Sequence, residues 1–182
     1  MKLVRIVYRL IIWVGILFIP TQLFSQENLD FFRAKFQMAK VESDFQLMLD
    51  TEVSDTIFGN ENIINAYKAV STSAMAQYVF NPYSKYQLFN KGKDQLEESI
   101  ATNKGVENIF LRVVIQLSIP KFLGYADDIE NDLAYLKNEL PKSVVPLETK
   151  KFIIKTIQDT GNEDYDLNSL SLWPLNEVTS IH

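Results

Sequence analysis

The spacing of apolar residues is the sequence feature that most constrains the fold. From Gln26 onward these residues recur at intervals of three and four, and strict alternation is almost absent. A period near 3.6 places such residues on one face of an α-helix, whereas a half-buried strand needs a period of two. The sequence therefore predicts an all-α fold in which each helix buries one stripe.

Polar caps and prolines predict where several helices begin and end. Asn28 is a candidate N-cap for the first helix, and Ser43 with Gln46 forms a capping box for the second. Asn81 followed by Pro82 predicts the cap and the first residue of a later helix. Further boundaries are predicted at Gly105, Pro120, Pro141, Pro146 and Gly161. The segment 106–117 is the most apolar of these helices and is expected at the centre of the domain.

The first 25 residues have the order of a secretion signal. Three cations come first, at Lys2, Arg5 and Arg9. An apolar run over 10–19 follows, and it is shorter than the roughly 20 residues of a membrane-spanning helix. We expect cleavage between Ser25 and Gln26 and a soluble periplasmic or secreted product without stable membrane insertion. An uncleaved membrane anchor is the alternative.

Charge and reactive side chains narrow the functional classes. Loss of the signal's cations changes the net charge from −5 to −8, which disfavours binding to nucleic acid or to anionic membrane surfaces. The chain has no cysteine, so disulfides, thiol nucleophiles, thiolate metal sites and a lipoprotein-type anchor are excluded. Its one histidine is the terminal His182. We therefore expect no cofactor, no metal and no catalytic residues, and we interpret the protein as a non-enzyme.

The length and apolar content fit one domain with a single core. We expect a signal peptide over 1–25, a helical domain over 26–160, and an irregular tail over 161–182 that Trp173 pins in part to the body. The sequence leaves the oligomeric state open.

The spacing within 59–140 is similar to that of tetratricopeptide repeats. Gly92, Leu96 and Ser99 stand where the second helix of such a repeat has its small, large and small packing residues. The segments 81–85 and 120–125 also resemble those of small exported helical proteins of unknown function. The resemblance implies antiparallel helix pairs in a right-handed superhelical array, with an irregular helical bundle as the alternative. It implies no activity.

Clusters of acidic residues suggest cation-binding or catalytic sites, but the helical period of the sequence disfavours most of them. Asp128, Glu130, Asp132 and Glu139 match the spacing of an EF-hand loop, but Leu133 replaces its glycine and the segment has a helical period. Acids that complement a helix N-terminus explain the run over 127–132 better. A second patch, over 163–166, is either a weak cation site or a solvated tail. Glu97 and Glu98 are adjacent, so in a helix they point about 100° apart and cannot flank one bond.

Aromatic residues are the remaining candidates for contact with a partner or ligand. We single out Tyr83, Tyr86, Phe122 and Tyr125, which lie in two aromatic-rich segments. Apolar residues in loops either pack against the rest of the fold or bind a partner or ligand. The alternative is that they anchor the core.

Three hypotheses for the function follow. The first is a protein-interaction or scaffolding module of the cell envelope, with an unidentified envelope protein as its partner. The second is a carrier for a small molecule or lipid, with an aromatic pocket between helices. The third is a hydrolase that uses carboxylates alone.

Overall fold

A computed structural model describes residues 22–52 and 60–160. All regular secondary structure in these ranges is helical, which confirms the all-α class for the described residues. In chain order the α-helices are α1 Gln22–Met38, α2 Glu42–Asp50, α3 Glu61–Met75, α4 Pro82–Thr102, α5 Val106–Ser118, α6 Ile129–Glu139 and α7 Leu147–Thr160. Most of the expected signal and all of the tail with Trp173 lie outside the described residues. None of the described helices is both long and apolar enough to cross a membrane.

Five predicted boundaries are confirmed, and two of them are Gly105, the N-cap of α5, and Pro141, which follows the C-cap of α6. Asn81 caps α4, since its Oδ1 accepts hydrogen bonds from the backbone amides of Tyr83 and Ser84 at 2.8 and 3.3 Å. Pro82 is the first residue of that helix. α5 ends just before Pro120, and α7 begins directly after Pro146. These boundaries depend on local chemistry, so the sequence was sufficient to place them.

Two predicted caps are wrong. Asn28 lies inside α1, because no proline or glycine interrupts residues 22–28 and the helix extends back to Gln22. Ser43 lies inside α2, whose N-cap is Val41. The Asp44 carboxylate, a stronger acceptor than a hydroxyl, accepts from the amides of Lys40 and Val41 at 2.8 and 3.1 Å. These bonds lower the pKa of Asp44.

The helices α3 and α4 form a closely packed antiparallel pair. Asn62 near the start of α3 donates to the Ser99 carbonyl near the end of α4, and Ser73 near the end of α3 donates to the Phe89 carbonyl near the start of α4. Gly92 lies at the closest approach of the two helices. A Cβ at Gly92 would overlap Ser73 Oγ and the Ala69 carbonyl, and it would lie 2.6 Å from the Ser73 amide nitrogen.

We expect Gly92→Ala to destabilise the protein although alanine favours helix. The new methyl group meets backbone atoms of α3, so the two helices must move apart, which costs about 1–3 kcal/mol. Urea unfolding followed by circular dichroism measures the change. Lys91→Ala, on the exposed face of the same helix, is the control and should change stability by less than about 0.5 kcal/mol. Equal effects of the two variants would contradict the close approach.

The helix α5 forms the centre of the domain, as its apolar sequence predicts. Ile109, Phe110, Leu111 and Val113 are fully buried. The helices α3, α4, α6 and α7 all contact α5, and α1 contacts it through the ring of Phe36. The two ends of α5 therefore define two ends of the domain, which differ in chemistry.

Candidate functional site

An apolar cleft opens at the end of the domain where α1, α3 and α5 terminate and α4 begins. Its volume is about 680 Å³. The phenylalanines of its wall come from four different helices and are Phe36, Phe45, Phe89 and Phe152. Aliphatic side chains of α3, α5 and the following loop complete the lining. We call this site the phenylalanine cleft.

Aromatic packing beneath the cleft fixes its shape. The ring of Phe110, which is fully buried, lies 6.4 Å from that of Phe36 and 5.8 Å from that of Phe152, edge to face in both cases. The ring of Phe36 also packs against Tyr67 at 5.3 Å. Such arrangements add to the stabilisation from burial alone. The floor is therefore part of the core, and the cleft exists before any ligand arrives.

Polar side chains also line the cleft, Ser73, Ser118 and Thr156 among them. Gln37, Gln77 and Lys85 line it and are exposed. Lys85 is the one ionisable side chain among the lining residues, and its ammonium forms no ion pair within the described ranges. The cleft therefore combines apolar walls with a single cation at its edge.

Exposed apolar side chains surround this end of the domain. They lie within three positions, along the chain, of a residue that lines the cleft, and they are Met38, Val41, Leu47, Phe80, Tyr83, Tyr86 and Phe122. Phe80 and Phe122 are 103% and 85% exposed. We call this set the apolar rim. Large exposed apolar groups in one region are typical of an interaction surface.

The predicted contact residues divide into two groups. Tyr83, Tyr86 and Phe122 belong to the apolar rim. Tyr125 does not, because its hydroxyl donates to the Glu97 carboxylate and its ring packs edge-on against Phe89 at 6.2 Å. Tyr125 therefore packs within the fold as an anchor. Tyr83, Tyr86 and Phe122 belong to the surface that the cleft and the rim form together.

A buried ion pair joins α1, α3 and α5 at the opposite end of α5. Arg33 Nη2 lies 2.5 Å from Glu107 Oε1, and Arg33 Nε lies 2.9 Å from Glu107 Oε2. The Tyr67 hydroxyl donates to the same Oε2 at 2.9 Å, and Asp30 accepts from Arg33 Nη1 at 2.8 Å. Arg33 and Glu107 are 7% and 6% exposed, so the charge of Glu107 is neutralised by Arg33, and Arg33 is neutralised mainly by Glu107 with Asp30 as a second partner.

A second ion pair of the same kind joins α4, α5 and α6. Arg112 Nε and Nη2 lie 2.7 and 2.6 Å from the two carboxylate oxygens of Asp132. Arg112 Nη1 lies 3.0 Å from Glu97 Oε2, and Glu97 in turn accepts from Tyr125. Glu107 and Arg112 therefore pair with partners on different helices and hold the surrounding helices to α5.

The environment shifts the pKa of the groups in both networks. Burial by itself lowers the pKa of Arg33 and of Arg112, but bonds to Glu107 and Asp132 outweigh it and the net shift is upward. Burial, together with the neighbouring carboxylate, raises the pKa of Tyr67 and of Tyr125 well above its usual range. Both tyrosines are therefore neutral donors in the folded protein.

These shifts predict a loss of stability at alkaline pH. Because the tyrosine pKa is higher in the folded than in the unfolded chain, the stabilisation is complete below about pH 10 and falls as pH rises above it. The slope approaches about 1.4 kcal/mol per pH unit for each tyrosine. Urea unfolding at a series of pH values measures it. Tyr67→Phe with Tyr125→Phe should flatten the dependence, whereas Tyr83→Phe with Tyr86→Phe should leave it unchanged. Equal slopes for both pairs would contradict the assignment.

The structure places the acidic clusters of the sequence in different environments. Residues 129–139 are helical, so the loop of an EF-hand is not formed, and Asp132 pairs with Arg112. Within the described ranges, no group of three or more acidic, histidine or cysteine side chains could hold a metal ion. Glu97 lies in the second ion pair, whereas Glu98 is exposed. The patch over 163–166 lies outside the described residues.

Fold and site together define an all-α protein with an apolar cleft at one end and buried ion pairs around its central helix. No protein-family model, curated protein or solved structure matches this chain. The function is therefore argued from the geometry of the cleft and from the charge of the chain.

Proposed function

We propose that this protein is an exported, non-catalytic binding module whose phenylalanine cleft receives apolar side chains of a protein segment. The observation that carries the proposal is the continuity between the cleft and the apolar rim. Phe122 and Leu123 are neighbours in one loop, and the first is exposed while the second lines the cleft. A partner that fills the cleft would therefore also cover the rim.

The extent of the apolar surface favours a protein segment over a small ligand. Pockets for small molecules bury most of the ligand and need few apolar groups outside it. Here the rim has seven large apolar side chains outside the cleft, Phe80 and Tyr83 among them, compared with four phenylalanines that line it. Aromatic anchors in a pocket, surrounded by contacts that exclude water, are typical of protein interfaces.

The remaining sequence features favour a partner in the cell envelope. The signal-like order of residues 1–25 and the absence of cysteine support export without a lipid anchor. Cleavage after Ser25 would remove the first turn of α1. The net charge expected after cleavage disfavours nucleic acid as a partner.

We also propose that α3 to α6, which lie within 59–140, have a tetratricopeptide-like arrangement. Its support is the close approach at Gly92, the small position that the resemblance implies, together with the antiparallel packing of α3 on α4. The superhelical array stays a prediction, and the function proposed here does not depend on it.

A carrier for an apolar small molecule is the second candidate. The cleft volume of about 680 Å³ lies within the range of small-molecule pockets, about 300–1,000 Å³. Native mass spectrometry of freshly purified protein would reveal a retained ligand. A carboxylate hydrolase has less support, because Glu97, Glu107 and Asp132 each accept hydrogen bonds from an arginine. A general acid must instead hold a proton to donate.

Site-specific photocrosslinking tests the proposal. A photoreactive amino acid replaces Gln77 at the mouth of the cleft or, as the control, Lys91 in the polar groove between α3 and α4. Both positions are exposed, so neither change should disturb folding. In the organism that makes the protein, we expect a discrete protein adduct from Gln77 that Phe122→Ser reduces at least about tenfold, because it removes a large exposed aromatic contact next to the cleft. Adducts that form equally at Lys91, or that ignore Phe122→Ser, would contradict the proposal.

A further inference from the structure

The helix α7 directs the end of the chain towards the phenylalanine cleft. Pro146, just before α7, lines a cavity at the opposite end together with Gly105 and Val106. Phe152 and Thr156, further along α7, line the phenylalanine cleft. Thr160 ends the helix about one turn, or 6 Å, beyond Thr156. The sequence then continues through residues 161–182.

The segment that follows matches the chemistry of the cleft. Five of the nine residues in 167–175 are large and apolar, namely Leu167, Leu170, Leu172, Trp173 and Leu175. Its flanks supply four acids and no lysine or arginine, namely Glu163, Asp164, Asp166 and Glu177. The cleft presents apolar walls and, at its edge, the Lys85 ammonium, which has no ion-pair partner among residues 22–52 and 60–160. Opposite charges at the mouth of an apolar site favour binding in one orientation.

The distance that the chain has to cover is within its reach. Residue 167 is seven positions beyond Thr160, and an extended chain spans about 3.3 Å per residue. The segment can therefore extend more than 20 Å from the end of α7, while α7 itself contributes to the wall of the cleft. A tethered segment also has a high effective concentration at a nearby site.

We infer that residues 167–175 of the same chain bind in the phenylalanine cleft and compete there with the partner segment. This inference rests on the proposed function of the cleft and adds a regulatory step to it. The partner has to displace the segment, and so it shares the pattern of apolar residues flanked by acids. Occupation by the chain's own segment also shields the cleft and part of the rim from water when no partner is present.

Engineered disulfides test this contact without any partner. The chain has no native cysteine, so Gln77→Cys with Ser171→Cys introduces a single possible pair. In the dilute full-length chain under mild oxidation, we expect intramolecular disulfide at least tenfold faster than with the control pair Lys91→Cys and Ser171→Cys. Intact mass and migration on a non-reducing gel distinguish the products. Equal rates for the two pairs, or a disulfide only between two chains, would overturn the inference.

Fluorescence of Trp173 supplies an independent test. The chain has two tryptophans, so Trp13→Phe makes Trp173 the only emitter. We expect blue-shifted emission that Lys85→Glu shifts to the red, with at least a twofold rise in acrylamide quenching. Lys91→Glu should leave both unchanged. Emission typical of free tryptophan in the parent chain would overturn the inference.

The two proposals fail separately. The disulfide and fluorescence tests use no partner, so their failure leaves the photocrosslinking result intact. If both proposals are correct, the oxidised Gln77→Cys and Ser171→Cys chain should bind the captured partner at least tenfold more weakly, and reduction of the disulfide should restore binding. If oxidation left the affinity for the partner unchanged, the proposed competition between residues 167–175 and the partner would be overturned.

Discussion

Replacing Glu107 with leucine should lower the free energy of unfolding by about 3–5 kcal/mol. The Arg33 guanidinium would lose both hydrogen bonds to Glu107 while remaining almost fully buried. The Tyr67 hydroxyl, buried between the same helices, would lose its acceptor as well. The partly exposed Asp30 would still accept from Arg33 Nη1, but the other nitrogens of this buried guanidinium would lose their charge partner. Leaving a buried charge largely uncompensated is among the most destabilising changes in a core.

A double substitution separates this effect from the loss of packing. Arg33→Met combined with Glu107→Leu removes both charges and retains most of the side-chain volume. We expect the double variant to be more stable than Glu107→Leu alone, measured by urea unfolding at neutral pH. If the single variant lost no more than about 1 kcal/mol, or if the double variant lost the sum of both single effects, the pair would not be coupled as its geometry indicates.

Asp132→Ala should destabilise the protein in a similar way, because it breaks the second buried ion pair. Asp132 is 2% exposed and binds two nitrogens of Arg112, which is itself buried. We expect a loss of about 3–5 kcal/mol, towards the lower end because Glu97 still accepts from Arg112. Amide hydrogen exchange in α6 should also become faster, since this ion pair joins α6 to the central helix.

The exposed Glu98 supplies the matched control for Asp132. Glu98→Ala also removes a carboxylate, but from a solvated position, and should cost less than about 0.5 kcal/mol. Similar losses for the two variants, or unchanged exchange in α6 of Asp132→Ala, would show that the Arg112 pair does not hold α6 in place.

The sequence predicted those features of the fold that depend on local chemistry. Asn81 and Pro82 mark the start of α4 because a cap and a fixed φ act within a few residues. The resemblance that placed Gly92 as a small packing residue implied antiparallel helix pairs, and α3 and α4 approach closely at Gly92. The cap at Ser43 was wrong because the neighbouring Asp44 accepts from the amides of Lys40 and Val41, so the helix begins at Glu42, before Ser43.

The ion pairs and the cleft could not be predicted in the same way. Arg33 and Glu107 are 74 positions apart, and no local pattern indicates which carboxylate a given arginine will meet. One signal was present, because Glu107 and Arg112 are charges within the most apolar helix, and charges buried with such a helix need partners. The cleft had no such signal. Phe36 and Phe45 have the helical spacing of core residues, and periodicity does not reveal which core ring stays uncovered.

Amide hydrogen exchange of the free protein and of its complex with the captured partner segment tests the central claim most directly. The claim is that the phenylalanine cleft and its rim are the binding surface. We predict slower exchange on binding in 36–45, 70–77, 83–89 and 114–123, with little change around Lys91 and Gln95 in the polar groove. Protection confined to that groove or to the Arg33 end of the domain, with the cleft unchanged, would contradict it.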